Sequence, residues 1–256
     1  MKKNIMLTTA LFFLINSALA DTCHPTIDPS QNNYIIGYGS LMNNASRSQT
    51  NPDVTVLLPV KVKGLVRDWS AASHDYKIIF LGASQCHKKD ENCFLNGLAY
   101  LTNDIQATDK RESIYCRHEV PINDITLYKK QDHLDQHAHY WVYITKKHNK
   151  AHPDALHPLI QSYVDLFIGG CMEQAASIAH KTVSELVYPN DYEFVFDCVK
   201  GTRGWITNYW LNDRVYPQRP WAVNPYALQI DKVLSQSYKN GDISGKYSYK
   251  DIPLEK

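Results

Sequence analysis

Glu112 stands in the run Arg111-Glu112-Ser113-Ile114-Tyr115-Cys116-Arg117-His118-Glu119-Val120, where a short helical composition gives way to strand-forming residues. An acid held at such a junction can take a proton from one group and return it to another within hydrogen-bond reach. The ordinary role of a glutamate there is a solvated helix-end charge. The second segment able to do chemistry is Ile36-Gly37-Tyr38-Gly39-Ser40-Leu41, at the end of an apolar run. Its Gly-x-Gly has Met42 where a dinucleotide-binding turn needs a third glycine, and it lacks the Lys-Ser/Thr of a phosphate-binding loop. Ser40 is in no Gly-x-Ser-x-Gly elbow. No cofactor is therefore expected. What the segment offers is backbone: two glycines turn the chain tightly and bring the N–H groups of Tyr38, Gly39, Ser40 and Leu41 close to a ligand. Tyr115 and Tyr163 are candidates to line the same pocket, with core packing as the alternative role. Arg117 reads as a surface ion pair in preference to a carboxylate-binding group.

These residues need elements to position them. Tyr34-Ile35-Ile36 reads as a buried strand entering the glycine turn. Val54 to Val66, Ile78 to Leu81, Phe94 to Leu101, Tyr115 to Val120, Ile125 to Lys129 and His139 to Thr145 read as further strands. Asp104 to Ser113 reads as a short helix with Asn103 or Asp104 as its N-cap. Beyond residue 150 the texture becomes helical. Leu159, Tyr163 and Phe167 recur at helical spacing in a segment expected to end near Gly169-Gly170, and Glu173 to Val187 repeats the pattern. Pro225 to Tyr238 reads as a last helix, and the aromatic stretch Trp205 to Trp221 as a packed extension. Strands first and helices later argue for an α+β fold with a closed or strongly curved antiparallel sheet.

The glycine turn and the Glu112 run, in this order and spacing, resemble the γ-glutamylcyclotransferase family. That family carries a Tyr-Gly-Ser loop after its first strand and a catalytic glutamate in a pattern close to Arg-Glu-Gly-x-Tyr-x-Arg-x-x-Val. Ser113 stands where a glycine is usual. The resemblance implies a small antiparallel or mixed β-barrel flanked by helices over residues 33–180. Residues 181–256 would then be a mainly helical extension packed on it, similar to that of longer bacterial members through Trp210-Leu211-Asn212-Asp213-Arg214 and Arg219-Pro220-Trp221. It implies a small-molecule γ-glutamyl substrate whose α-amine attacks its own side-chain carbonyl, giving 5-oxoproline and a released amine. Glu112 would be the acid–base residue and Tyr38, Gly39, Ser40, Leu41, Tyr115 and Tyr163 would bind substrate.

The chain ends and the cysteines bear on location. Lys2 and Lys3, the apolar run Ile5 to Ile15, and Ala18-Leu19-Ala20 have the layout of a cleaved signal peptide over residues 1–20, with a polar leader arm at 21–32. A periplasmic or secreted protein with no membrane attachment after cleavage is expected. Loss of two lysines leaves 25 bases against 26 acids, about −1, which calls for neither nucleic acid nor an anionic surface as partner. Six cysteines in an exported chain read as disulfides, and Cys86 with Cys93 is the one pairing assigned, across the polar run His87 to Asn92. No Cys-x-x-Cys pair exists. Two other readings keep the same scaffold: an exported ligand-binding protein without catalysis, and a metal-binding protein using His133, His137 and His139 with His148, His152 and His157.

Overall fold

The computed structural model describes residues 23–86, 93–218 and 225–243. The expected signal peptide, the run His87 to Asn92 and the segment Arg219-Pro220-Trp221 lie outside these residues. The fold is mixed α+β. Strand β1 (Asn33–Gly37) is buried at every position because it is flanked on both sides, antiparallel by β5 (Phe94–Thr102) and parallel by β8 (His139–Thr145). With β2 (Leu57–Lys63), β6 (Tyr115–Glu119) and β7 (Ile125–Leu127) these form a six-stranded sheet in the order β6-β8-β1-β5-β2-β7. A second sheet joins β3 (Leu65–Ser73), β4 (Ile78–Gln85) and the short β10 (Thr202–Arg203). A pair of two-residue strands, β9 (Leu159–Ile160) and β11 (Trp210–Leu211), completes the ladders.

Among the described residues the hydrogen-bonded ladders run in three sheets of six, three and two strands. Gly64, at a φ of 86°, turns the chain out of β2 and into β3, so consecutive strands enter different sheets. The β3–β4 register also shifts between Trp69 and Ala71, which bends that hairpin over the larger sheet.

Among the described residues five α-helices pack around the sheets: α1 (Asn44–Arg47), α2 (Ile105–Arg111), α3 (Gln161–Ala179), α4 (Glu193–Lys200) and α5 (Ala227–Lys239). Asp104 caps α2 by accepting from Ala107 N–H at 2.9 Å. Helix α3 corrects the expected break at Gly169-Gly170, since it runs 19 residues straight through. Gly170 is there for contact: a Cβ on it would stand 2.8 Å from Asn43 N and 3.0 Å from Met42 C. The glycine lets the helix lie against the turn Ser40–Met42.

The C-terminal segment is stitched into this core. Cys171–Cys198 joins α3 to α4, β10 pairs with β3, and β11 pairs with β9. Each polar member of Trp210-Leu211-Asn212-Asp213-Arg214 has a task. Trp210 Nε1 donates to Gln161 Oε1, and the Asn212 Oδ1 accepts from Arg214 N–H. Asp213 accepts from Ser162 N–H and Oγ at the start of α3. Arg214 clamps Asp165 of α3 to Asp231 of α5, and the hydrogen bonds it donates to Asp165 hold its guanidinium firmly charged. Trp205 and Trp210 are buried and stacked. Cys23 of the leader arm is also fixed, by its bridge to Cys116. With Cys86–Cys93, as expected, the described chain has three disulfides, which fits an oxidising environment outside the cytoplasm. Among the described residues no helix is long and apolar enough to cross a membrane.

Candidate active site

The apolar strand β1 delivers the chain into the turn 37–41, where a tight path is enforced by contact. A Cβ on Gly37 would meet Leu41 Cβ at 2.5 Å. Ser40–Met42 then forms one turn of 3₁₀ helix, closed by Met42 N–H to Gly39 O at 3.0 Å. Helix α2 brings the acid from the other side. Glu112 is its C-cap: its N–H donates to Thr108 O at 2.8 Å, and its carbonyl accepts Tyr115 N–H at 2.9 Å. This turn through Ser113 leads straight into β6. Ser113 fits where glycine is usual in the resembled pattern because the turn needs no positive φ; among described non-glycine residues only Lys77 and His180 adopt one.

Two adjoining cavities lie between these pieces. The smaller, about 20 Å³, is bounded by the turn 36–41 together with Glu112, Tyr115, Tyr143 and Tyr163. The larger, about 310 Å³, shares Ser40, Glu112, Tyr115 and Tyr163 and opens towards the β3–β4 hairpin tip. All seven residues named from the sequence therefore border the same space: Tyr38, Gly39, Ser40, Leu41, Glu112, Tyr115 and Tyr163. The Glu112 side chain is 15% exposed, so it is sheltered and still reachable.

Scaffolding around the acid is extensive. Arg111 Nε lies 3.3 Å from Glu112 Oε1. Its other nitrogens donate to Ser46 O at 2.6 Å, Ser46 Oγ at 2.8 Å, Thr50 Oγ1 at 3.1 Å and Ser40 Oγ at 3.4 Å. One guanidinium thus ties the glycine turn and α1 to the acid. Tyr38 Oη donates to Tyr143 O at 2.6 Å, and Tyr143 Oη donates to Asp109 Oδ1 at 2.6 Å. Burial, reinforced by the Glu112 charge, pushes the Tyr38 phenol well above its ordinary pKa, so it remains a neutral donor. Tyr115 Oη donates to Leu81 O at 2.8 Å, which fixes that ring as a wall. Tyr163 packs edge-on against Phe80 and Trp69, and a Cβ on Gly39 would stand 3.2 Å from its hydroxyl.

Arg117 departs from expectation. It is 3% exposed, with Nε 3.3 Å from Asp109 Oδ1, its guanidinium 4.7 Å over the Trp141 ring and one nitrogen donating to Pro25 O at 2.5 Å. It is a buried strut between β6 and the leader arm, because β6 turns that position inward. Sequence reasoning missed Tyr76 and Phe80, which form an aromatic edge at the mouth, and Asp75 beside them. It also missed Arg67, although Leu65, Arg67 and Trp69 share one face of a strand and a lone cation among inward residues is a legible signal. The histidines do not converge. His139 pairs with Glu119, His157 contacts His74, and among the described residues no three His, Cys, Asp or Glu side chains are gathered for a metal.

No protein-family model matches the chain, and no curated protein matches it. Its structural neighbours include proteins described as γ-glutamyl cyclotransferases, at low identity. One protein described as a γ-glutamyl cyclotransferase is 14% identical with a TM-score of 0.44, over 64% of this chain and 92% of that one. A yeast γ-glutamyl cyclotransferase specific to glutathione is 14% identical with a TM-score of 0.35, over 66% and 96%. An uncharacterised human protein is 12% identical with a TM-score of 0.42, over 64% and 98%.

Proposed function

We propose that this chain is a γ-glutamylcyclotransferase-type enzyme, which converts a γ-glutamyl amino acid, amine or peptide into 5-oxoproline and the released amine. The observation that carries the reading is the sharing of one cavity by the Glu112 carboxyl and the glycine turn. The reaction is an intramolecular aminolysis. The substrate's α-nitrogen forms a bond to its own γ-carbonyl carbon, the carbonyl oxygen becomes an oxyanion, and the amide C–N bond to the leaving amine then breaks. Because the nucleophile and the carbonyl belong to one molecule, the protein's main task is to hold the substrate folded, and such orientation is worth roughly 7 kcal/mol or more in the best cases. Glu112 takes a proton from the attacking nitrogen and delivers one to the departing amine. Backbone N–H groups of the turn 38–41 bind the substrate and the oxyanion. Tyr115 and Tyr163 line the floor on which the γ-glutamyl chain lies. The leaving amine extends into the larger cavity towards Tyr76 and Phe80.

The test is release of 5-oxoproline by the oxidised protein from glutathione and a panel of γ-glutamyl amino acids and amines. Glu112→Gln keeps the shape and removes the proton shuttle, so the rate is expected to fall roughly 10²- to 10⁴-fold with the melting temperature near wild type. Release that survives the substitution would keep the reaction and discard Glu112 as the shuttle. No release from any substrate by the wild type would remove the reading.

A further inference from the structure

Arg67 of β3 is 0% exposed, and its hydrogen-bond partners are all uncharged. All five guanidinium N–H donors are committed. Nε donates to Thr202 Oγ1 at 2.8 Å. One terminal nitrogen donates to Tyr38 O at 2.6 Å and Asn96 O at 3.1 Å; the other donates to Asn96 Oδ1 at 2.6 Å and Cys198 O at 3.3 Å. The group lies 4.6 Å over the Phe167 ring of α3, and Cys198 belongs to the last turn of α4, where a helix favours positive charge. Burial draws its pKa down to about 9. A cation in the core is costly where an apolar side chain would pack, so its place calls for a reason.

The reason lies in the peptide it grips. A trans peptide is planar, and the carbonyl of one residue and the N–H of the next point in opposite directions. With Tyr38 O held by Arg67 at 2.6 Å, the Gly39 N–H points away from the guanidinium, and Gly39 borders the cavity it shares with Glu112. Among the described residues that N–H donates to no backbone carbonyl in the turns and loops. We infer that Arg67 is a positioning residue: through the Tyr38 carbonyl it aims the Gly39 N–H at the γ-carbonyl oxygen of the substrate, and through Cys198 and Thr202 it makes the C-terminal segment part of the site. This rests on the γ-glutamyl reading above. A donor aimed at the developing oxyanion acts more strongly on the transition state than on bound substrate, so the effect belongs in kcat more than in KM.

The experiment compares wild type with Arg67→Lys, which keeps the charge and loses the five-donor fork. Near-ultraviolet circular dichroism establishes that the variant is folded. 5-Oxoproline release is expected to show kcat lowered roughly 10²-fold with KM changed less than about threefold. In protein labelled with ¹⁵N-glycine the Gly39 amide resonance is followed without ligand, and it is expected to shift in Arg67→Lys while that of Gly241, remote from Arg67, does not. If Arg67→Lys does not fold, Thr202→Val takes its place: it removes the Nε acceptor and leaves the cation, and a smaller loss, roughly 5-fold in kcat, with a shift in the same resonance is expected. A folded variant with wild-type kcat, or with the Gly39 resonance unmoved, overturns the inference. A wild type that releases no 5-oxoproline overturns the proposed reaction instead, and the Gly39 resonance alone then decides whether Arg67 sets that peptide.

Discussion

Glu173 of α3 accepts Asn43 Nδ2 at 2.6 Å and Asn44 N–H at 2.7 Å, and so holds α1 beside the glycine turn. Burial outweighs these hydrogen bonds and lifts its pKa from 4.5 to about 7. A carboxyl whose folded pKa exceeds its unfolded one favours the fold when protonated. Its contribution is full below about pH 4.5 and is withdrawn as pH rises towards 7. Glu173→Gln cannot ionise. Relative to wild type it should therefore gain stability between pH 5 and pH 8, by roughly 2 kcal/mol, seen as a melting-temperature difference that grows by about 5 °C. A difference independent of pH would mean that this carboxyl ionises normally. Tyr38, Gly39, Ser40 and Glu112, singled out in the sequence as a glycine turn and an acid at a helix end, border one cavity in the fold. Arg117 was misjudged because exposure depends on which way β6 faces, and that is decided by its partner β8.

At the scale of elements, α3 carries the plainest lesson. Gly169-Gly170 reads as a helix stop, yet the helix continues because the surrounding packing outweighs a local preference of about 1 kcal/mol per glycine. Gly170→Ala tests this directly. Alanine favours the helix, but its Cβ would press on the backbone of Met42 and Asn43, which has no flexible side chain to yield. The substitution should destabilise by roughly 1–3 kcal/mol in thermal melts, and it should reduce turnover through displacement of Ser40–Met42. A rise in melting temperature would show that the close approach relaxes freely. Helix α2 was legible together with its cap, Asp104, since capping is a local interaction. Helix α4 was not assigned from sequence: at eight residues between loops its period is short, and its place is set by Cys171–Cys198 and by burial of Phe194 and Val195.

Over the whole molecule, three disulfides close loops of very different size. Cys23–Cys116 spans 93 residues, Cys171–Cys198 spans 27 and Cys86–Cys93 spans 7. If the cross-links act mainly on the unfolded chain, serine replacement of the first pair costs about 4–5 kcal/mol and of the last about 2 kcal/mol. Denaturant unfolding of the two double variants should show that order. Equal losses would mean that the leader arm contributes by its native contacts, such as Arg117 to Pro25 O, and not by loop closure.

The sequence alone determined the α+β class, most strand positions and the Cys86–Cys93 bridge, because period, capping and turn composition are properties of neighbours along the chain. Tertiary structure decided the rest. It ran α3 through a glycine pair and buried Arg67 and Arg117. It also wove the Trp210–Arg214 segment into α3 and α5. Each of these depends on contacts between residues tens of positions apart, whose free energy belongs to the pair and leaves no periodic mark on either segment.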